Sequence, residues 1–272
     1  MGYRSRLRGG SRARLHFPDD AGAEFPLGPA DSFASVRPGT CTAGMTDGPK
    51  REVVCADAIP WLRERGTIPG ACVITSLPDV SEVGLALPAW RTWFVEAARL
   101  AVEAAPAEGA ALFFQSDIKR DGMWIDKAAL VLRAAEAAGA TLLFHKIVCR
   151  RPPGALTAGR PGFTHFLAVS RALQCPDVLP IPDVIVDPGE QLWVRAMGVR
   201  AAGHAVRFAR DVVARALGRA PVVVDPFCGV GTVLAVANAH GLDALGVEKH
   251  RKRAEQARGI VVRPEPEPAS AG

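Results

Sequence analysis

No apolar run in this sequence approaches the ~18 residues that a membrane-crossing helix needs, so no membrane partner is expected. Paired cysteines are missing too. The six, at positions 41, 55, 72, 149, 175 and 228, form no C-x-x-C, and several lie inside apolar strand-like runs. That usage fits reduced, buried thiols in a cytoplasmic protein and excludes a disulfide framework. The six histidines are equally dispersed, and no metal site is expected from them. There is no internal repeat and no sign of a second domain. Charge of one sign is only mildly in excess: the net +5 permits a nucleic-acid partner without demanding one.

What the chain does have is an apolar fraction of 49% over 272 residues, enough for one sizeable core. Its organising stretch runs from 222 to 241. Residues 222–225 read as a buried strand, Gly229 and Gly231 as a tight turn, and the following apolar residues as a helix closed by Gly241. Without Cβ atoms the two glycines let the backbone turn sharply and a ligand lie against it, facing the free N–H groups of the helix start. A second strand, 244–247, ends in Glu248. Asp225 and Glu248 thus end successive strands, where an open parallel sheet binds its ligand. Two carboxylates there suit a ligand with hydroxyls and a positive centre better than one with phosphates. A nicotinamide or flavin site would want a third glycine where Leu234 stands, and a P-loop would want Gly-Lys-Ser/Thr, which is absent. A strand–turn–helix with no ligand is the remaining reading.

The stretch from Asp225 through Pro226, Phe227, Gly229 and Gly231 to Thr232 resembles the S-adenosylmethionine-binding motif of the amino-methyltransferases that modify exocyclic amines of nucleobases. Gly-Val-Glu248 is similar to that family's second motif, whose acid holds the ribose hydroxyls. The resemblance implies that Asp225, Pro226, Phe227, Gly229, Gly231, Thr232 and Glu248 bind S-adenosyl-L-methionine. It covers residues 50–260, in motif order rather than continuous identity.

Earlier in the chain, strands are expected over 51–56, 71–74, 110–115, 141–148 and 164–170, and helices over 88–104, 126–138 and 202–217. Trp90, Phe94, Ala97 and Ala101 would form the buried stripe of the first of these helices. Strands alternating with helices predict a single doubly wound, mostly parallel α/β sheet, the Rossmann-like class. The link 150–163 holds no helix, so the last strand pair is expected to be an antiparallel edge hairpin. Residues 1–44 show no period and carry six arginines against four acids. They read as a disordered tail ahead of a domain spanning 45–262, with a second disordered tail at 263–272. The N-terminal arginines would serve as an RNA-touching arm, as part of a transit peptide, or as nothing beyond a solvated tail.

Thr75-Ser76-Leu77-Pro78-Asp79 follows the second strand. In the resembled family this position holds Ser/Asp/Asn-Pro-Pro and an aromatic; the polar residue and a backbone carbonyl hold the target amine while the aromatic stacks on an extruded base. Ser76 and Pro78 match, Leu77 replaces the first proline, and Asp79 replaces the aromatic. Ser76, Pro78 and Asp79 are therefore the candidate catalytic residues, with Asp79 either receiving a hydrogen bond or proton from the substrate or acting as a turn residue. Asp57, at the end of the first strand, sits where the family contacts the adenine of its cofactor. This order of motifs is the circularly permuted one of a class within the family. His204 reads as packed rather than functional.

Members with sequence preference in DNA insert a target-recognition domain where this chain has only 172–194, too short for one. The expectation is therefore an RNA substrate over a DNA one, with site choice resting on substrate shape or on a protein partner. The basic stretch 146–171, with Lys146, Arg150, Arg151, Arg160 and Arg171, would contact phosphates, or be a solvated loop. Asp117 and Lys119 would orient the substrate, Asp117 equally capping a turn. The function expected is methyl transfer from S-adenosylmethionine to an amine, a nucleobase nitrogen in RNA. The alternatives are a non-catalytic RNA- or protein-binding module on the same fold, and a methyltransferase of DNA, protein or a small amine.

Overall fold

The computed structural model describes residues 48–193 and 197–263. The arginine-rich segment 1–44 and the tail beyond Arg263 lie outside them. Eight strands form the central sheet: β1 (Arg51–Val54), β2 (Ala71–Thr75), β3 (Ala111–Gln115), β6 (Thr141–Cys149), β7 (Phe163–Ser170), β8 (Val184–Ile185), β9 (Val222–Asp225) and β10 (Ala244–Val247). Their order across it is β1-β10-β9-β2-β3-β7-β6-β8. Two short strands, β4 (Ile118–Arg120) and β5 (Met123–Ile125), pair only with each other. β1, β10, β9, β2 and β3 run parallel, and β7 is antiparallel to both β3 and β6. β2 and β3 are buried at every position, which is why they read as continuous apolar runs rather than alternating ones.

Helices cover both faces. On one lie α1 (Ala58–Arg65), α3 (Leu87–Ala104) and α4 (Lys127–Ala137), packed in the cluster that contains Trp90, Phe94 and Phe113. The stripe Trp90, Phe94, Ala97, Ala101 is completely buried there. On the other face lie α5 (Val199–Phe208), α7 (Thr232–Ala239) and α8 (Arg251–Gly259), around Val206, Phe208 and Leu234. The short α2 (Val80–Val83) follows the Ser76 loop, and α6 (Ala214–Leu217) completes the set. Arg51 ties the first strand to the last helices: its guanidinium donates to Asn238 Oδ1 (2.6 Å) and to the carbonyls of Ala257 (3.2 Å) and Ile260 (2.5 Å). No described helix is long and apolar enough to cross a membrane, and the five described cysteines are free.

Two expectations need correction. The β6–β7 hairpin is antiparallel as expected, but it is not the edge: β8, hidden in the proline-rich connection, adds in parallel outside β6. The helix expected at 202–217 begins at Val199 and passes through a π-helical turn at Ala209–Val213, so its apolar period shifts and Leu217 is only partly buried. The polar stretch after β3 forms the β4–β5 hairpin. His204 is buried, with Nδ1 unpartnered; burial, then the nearby Arg207 and Arg200, pull its pKa down to about 4. It packs as expected.

Candidate active site

Five parallel strands present their carboxyl ends along one edge of the sheet, and the winding direction reverses between β9 and β2. Asp57 follows β1, Glu248 follows β10, Asp225 ends β9, Ser76 follows β2 and Ser116 follows β3. Sheet order therefore gathers residues up to 191 positions apart in sequence, from Asp57 to Glu248.

All of these but Ser116 line a cavity of about 670 Å³ whose wall includes Asp57, Ser76, Pro78, Asp225, Pro226, Phe227, Gly229, Thr232 and Glu248. Gly231 is not on the wall; it packs behind the turn, where a Cβ would stand 2.8 Å from Ala257 Cα. Asp225 is buried, and its Oδ1 accepts from Thr75 Oγ1 (2.7 Å) and from the Phe227 amide (3.1 Å). Those bonds hold the start of the glycine turn against β2. Burial, with Glu248 adding repulsion and the two hydrogen bonds opposing it, raises the Asp225 carboxyl to about 7. Glu248 Oε1 accepts the His250 amide (2.8 Å) and lies 3.6 Å from Arg253 Nε, whose guanidinium sits over Trp193 (5.5 Å). Asp57 caps α1 by accepting from the Ile59 amide (2.9 Å). Trp93, edge-on to Phe227 at 6.0 Å, also lines the cavity; in the sequence it was only a residue of an amphipathic helix. The buried Thr232 Oγ1 has no partner, at the first position of α7, on the cavity wall.

A second cavity of about 410 Å³ lies on the other side of Ser76. Ser76, Leu77, Glu82 and Met197 line both. Asp79, Ser116, Lys127, Arg150 and Arg160 line only the second of the two. The Ser76 hydroxyl is exposed and makes no hydrogen bond among the described residues. The Pro78 carbonyl is taken by Trp90 Nε1 (3.3 Å). Asp79 begins α2, its amide donating to Glu82 Oε2 (2.9 Å), and its carboxylate accepts from Lys127 Nζ at 2.5 Å. That lysine is almost fully buried and lies 5.6 Å from the Phe94 ring. The loop carrying Ser76 is thus pinned to α4 by an ion pair that the sequence did not reveal, because its members stand 48 residues apart.

Lys127→Met is expected to cost about 1–3 kcal/mol of folding stability, less than a fully buried pair would lose, because Asp79 is partly exposed. Adding Asp79→Leu should recover part of it, read as a non-additive term in urea unfolding. Strict additivity would show that the pair does not hold the loop.

The remaining sequence candidates divide. Arg150 and Arg160 reach the second cavity and, with Arg151, line a neighbouring one of about 630 Å³ between the β6–β7 loop and Pro188 and Gln191. Lys146 is instead paired with Asp183, and Arg171 donates to the Ala105 carbonyl (2.6 Å). Asp117 accepts from the Lys127 amide (2.9 Å) and pairs with His165 Nε2 (3.1 Å), whose Nδ1 meets His145 Nε2 (2.9 Å). Burial alone would raise the Asp117 carboxyl, but the His165 and Lys127 hydrogen bonds outweigh it and hold it below the usual range. Asp126 joins Asp117 and His165 within 4.8 Å, so one of the dispersed histidines does meet two acids in space. Each member already has a structural partner, Asp126 by capping α4 at Ala129 (2.9 Å). Lys119 stands out on the hairpin, 5.9 Å from the Trp124 ring.

No protein-family model matches the chain, and no curated protein does. Its structure is similar to that of PvuII DNA methyltransferase, which is cytosine-N4-specific, at a TM-score of 0.60 and 13% identity over 78% of this chain and 86% of that one. It is also similar to a candidate DNA modification methylase from Thermus thermophilus in complex with S-adenosyl-L-methionine, at 0.57 and 20% identity over 76% and 92%. The selenomethionine form of the latter gives 0.59 and 18% over 77% and 92%. At these identities the likeness shows the fold, the Rossmann-like sheet of these methyltransferases. These neighbours are named for DNA, and the expected preference for RNA finds no support in them.

Proposed function

We propose that the protein transfers a methyl group from S-adenosyl-L-methionine to an exocyclic amine of a nucleobase, with DNA as the substrate. One observation carries the reading: Ser76 and Leu77, with Glu82 and Met197, form the shared wall of two cavities, one walled by the glycine turn with Asp57, Asp225 and Glu248, the other by Arg150 and Arg160. The first cavity fits the cofactor. Glu248 offers a carboxylate for ribose hydroxyls, Thr232 an unspent buried hydroxyl, and at Gly229 the space a Cβ would take is open. Asp57 borders the adenine end, and Pro226 and Phe227 form the apolar wall. Bound there, S-adenosylmethionine supplies a methyl on a sulfonium whose sulfur leaves as a neutral thioether.

The chain's own work is alignment. Ser76 Oγ, free of other bonds, accepts an N–H of the amine, and the Leu77 carbonyl is the second acceptor, since that of Pro78 is committed to Trp90. Together they turn the nitrogen lone pair toward the first cavity. Arg150 and Arg160 hold flanking phosphates, with Arg151 further along the strand. Asp79 keeps the loop in place through Lys127 and lines the pocket through which the methylated nitrogen sheds its proton. DNA is favoured by what the structural neighbours are named for. RNA remains the second reading because the connection from β7 to α5 holds only the two-residue β8 and no recognition domain.

Methyl incorporation from labelled S-adenosylmethionine into DNA, RNA and protein extracts tests this, with Ser76→Ala and Gly229→Trp beside wild type. Label in DNA that both variants lose is the expected result. Label in RNA alone moves the substrate to the second reading, and label only in protein sinks the nucleobase reading. Bound cofactor with no label anywhere would favour a non-catalytic binding module.

Asp225 gives this site a pH signature. Its folded pKa of about 7 lies above the ordinary 3.8, so the native cofactor-free protein holds a proton that the unfolded chain has released. Native stability therefore falls as pH rises from about 4 to about 7 and levels off above. A cation in the cavity favours the carboxylate, so cofactor binding near pH 6–7 should release up to one proton and tighten as pH rises. Calorimetry in buffers of different ionisation enthalpy reads that proton. Asp225→Asn should lose it, and a wild-type count of zero would detach Asp225 from the cofactor.

A further inference from the structure

We propose that the β4–β5 hairpin is a nucleic-acid-contacting arm, in which Trp124 stacks on an unpaired base beside the acceptor pocket while Lys119 and Arg120 contact the flanking phosphates. The inference rests on the nucleobase reading of the active site.

Residues 117–126 leave the pocket rim and return to it: Ser116 before them and Lys127 after them both line the acceptor cavity. The root is fixed. Ile125 is buried, Ile118 packs partly against the same core cluster, Asp117 accepts from the Lys127 amide, and Asp126 caps α4. The tip is a two-residue turn, since Arg120 pairs with Met123. Asp121 and Gly122 both have positive φ, at 50° and 78°, the turn type whose twist suits a hairpin. Asp121 is the only non-glycine residue with positive φ among the described residues, so the chain accepts strain to keep this tip tight.

What the tip displays does not suit a bare surface. Trp124 is 52% exposed on one face of the ribbon and Met123 63% on the other, while apolar residues of this size are elsewhere mostly packed. Lys119 is exposed directly across from Trp124, its ammonium 5.9 Å from the ring, and Arg120 is exposed across from Met123 on the other face. A flat π-face with a lysine on its own side and an arginine at the adjoining tip is the chemistry that holds a base and its phosphates. A second copy of this chain is a poor occupant. Two side chains fall far short of the roughly 800 Å² per partner of a stable interface, and a two-fold contact would bring the cations together.

The test uses full-length protein and fluorescently labelled single-stranded and duplex oligonucleotides of DNA and of RNA, read by anisotropy at two salt concentrations. Calorimetric cofactor binding is measured beside it. Trp124→Ala should weaken single-strand binding about ten-fold or more, Trp124→Phe should restore most of it, and both should bind cofactor as wild type does. Lys119→Glu with Arg120→Glu should lower the slope of log affinity against log salt by about two. Which oligonucleotide loses most identifies the strand the arm reads. Wild-type affinity in Trp124→Ala, with methyl transfer to nucleic acid intact in both proteins, overturns the arm alone. A wild-type protein that binds cofactor but neither DNA nor RNA overturns the nucleobase reading as well. Self-association of wild type that Trp124→Ala abolishes, with nucleic-acid binding unchanged, would assign the hairpin to a second copy and also overturns the proposal.

Discussion

Gly229→Trp is expected to abolish measurable cofactor binding while the protein remains folded. Gly229 has φ +56°, and a Cβ built on it would meet no heavy atom within 4 Å, so a side chain there grows outward into the 670 Å³ cavity. Nothing in the core must move to admit it. The backbone cost is that of a bulky residue in the left-handed region, about 1–2 kcal/mol, which lowers the melting midpoint by several degrees in a protein of this size. The binding cost is far larger, because an indole and the cofactor would compete for one volume. Calorimetric heat of S-adenosylmethionine binding should vanish, whereas Gly229→Ala, which adds only one methyl group, should retain it. Cofactor affinity within a few-fold of wild type in the tryptophan variant would place the cofactor elsewhere.

Gly231→Val should act on the fold instead. Gly231 has φ +86°, and its Cβ would approach Ala257 at 2.8 Å from both Cα and Cβ and at 3.0 Å from the carbonyl oxygen. Two of those three atoms are backbone of α8, so no side chain can rotate away to relieve the contact. A β-branched residue is also poorly tolerated at positive φ. The left-handed penalty and the overpacking together come to about 2–5 kcal/mol, a large fraction of the 5–15 kcal/mol that ordinarily separates folded from unfolded chains. The urea midpoint should fall steeply, with cofactor binding lost only in proportion to the folded fraction. An unchanged midpoint would mean that α8 can shift away from the turn at little cost. Two residues apart, the glycines thus have separable duties, one keeping the cavity open and the other letting α8 pack behind the turn.

That separation could not be read from the motif, in which Gly229 and Gly231 look equivalent. The strand, the turn and the helix could. Val222 to Asp225 is apolar enough to be a central strand, and the positive-φ positions demand glycine whatever packs around them. Asp57, Ser76, Asp225 and Glu248 were legible as candidates for a related reason: each comes at the end of an apolar run, and in a parallel sheet such ends share one edge. The basic stretch was legible only by composition. Charge alone did not distinguish Arg150 and Arg160, which face the pocket, from Lys146 and Arg171, which the fold uses to tie its own chain together.

By itself, then, the sequence determined the local conformations and the class of sheet. Backbone sterics, hydrophobic period and capping act over a few residues and leave their marks there. Only the tertiary structure decided the partners. Lys127 met Asp79, His165 met both Asp117 and His145, β8 added outside β6, and the polar stretch that offered Asp117 and Lys119 became a hairpin with an exposed tryptophan. Each of those outcomes depends on strand order and register, which are chosen by packing both faces of the whole sheet at once, and no short window of sequence encodes that choice.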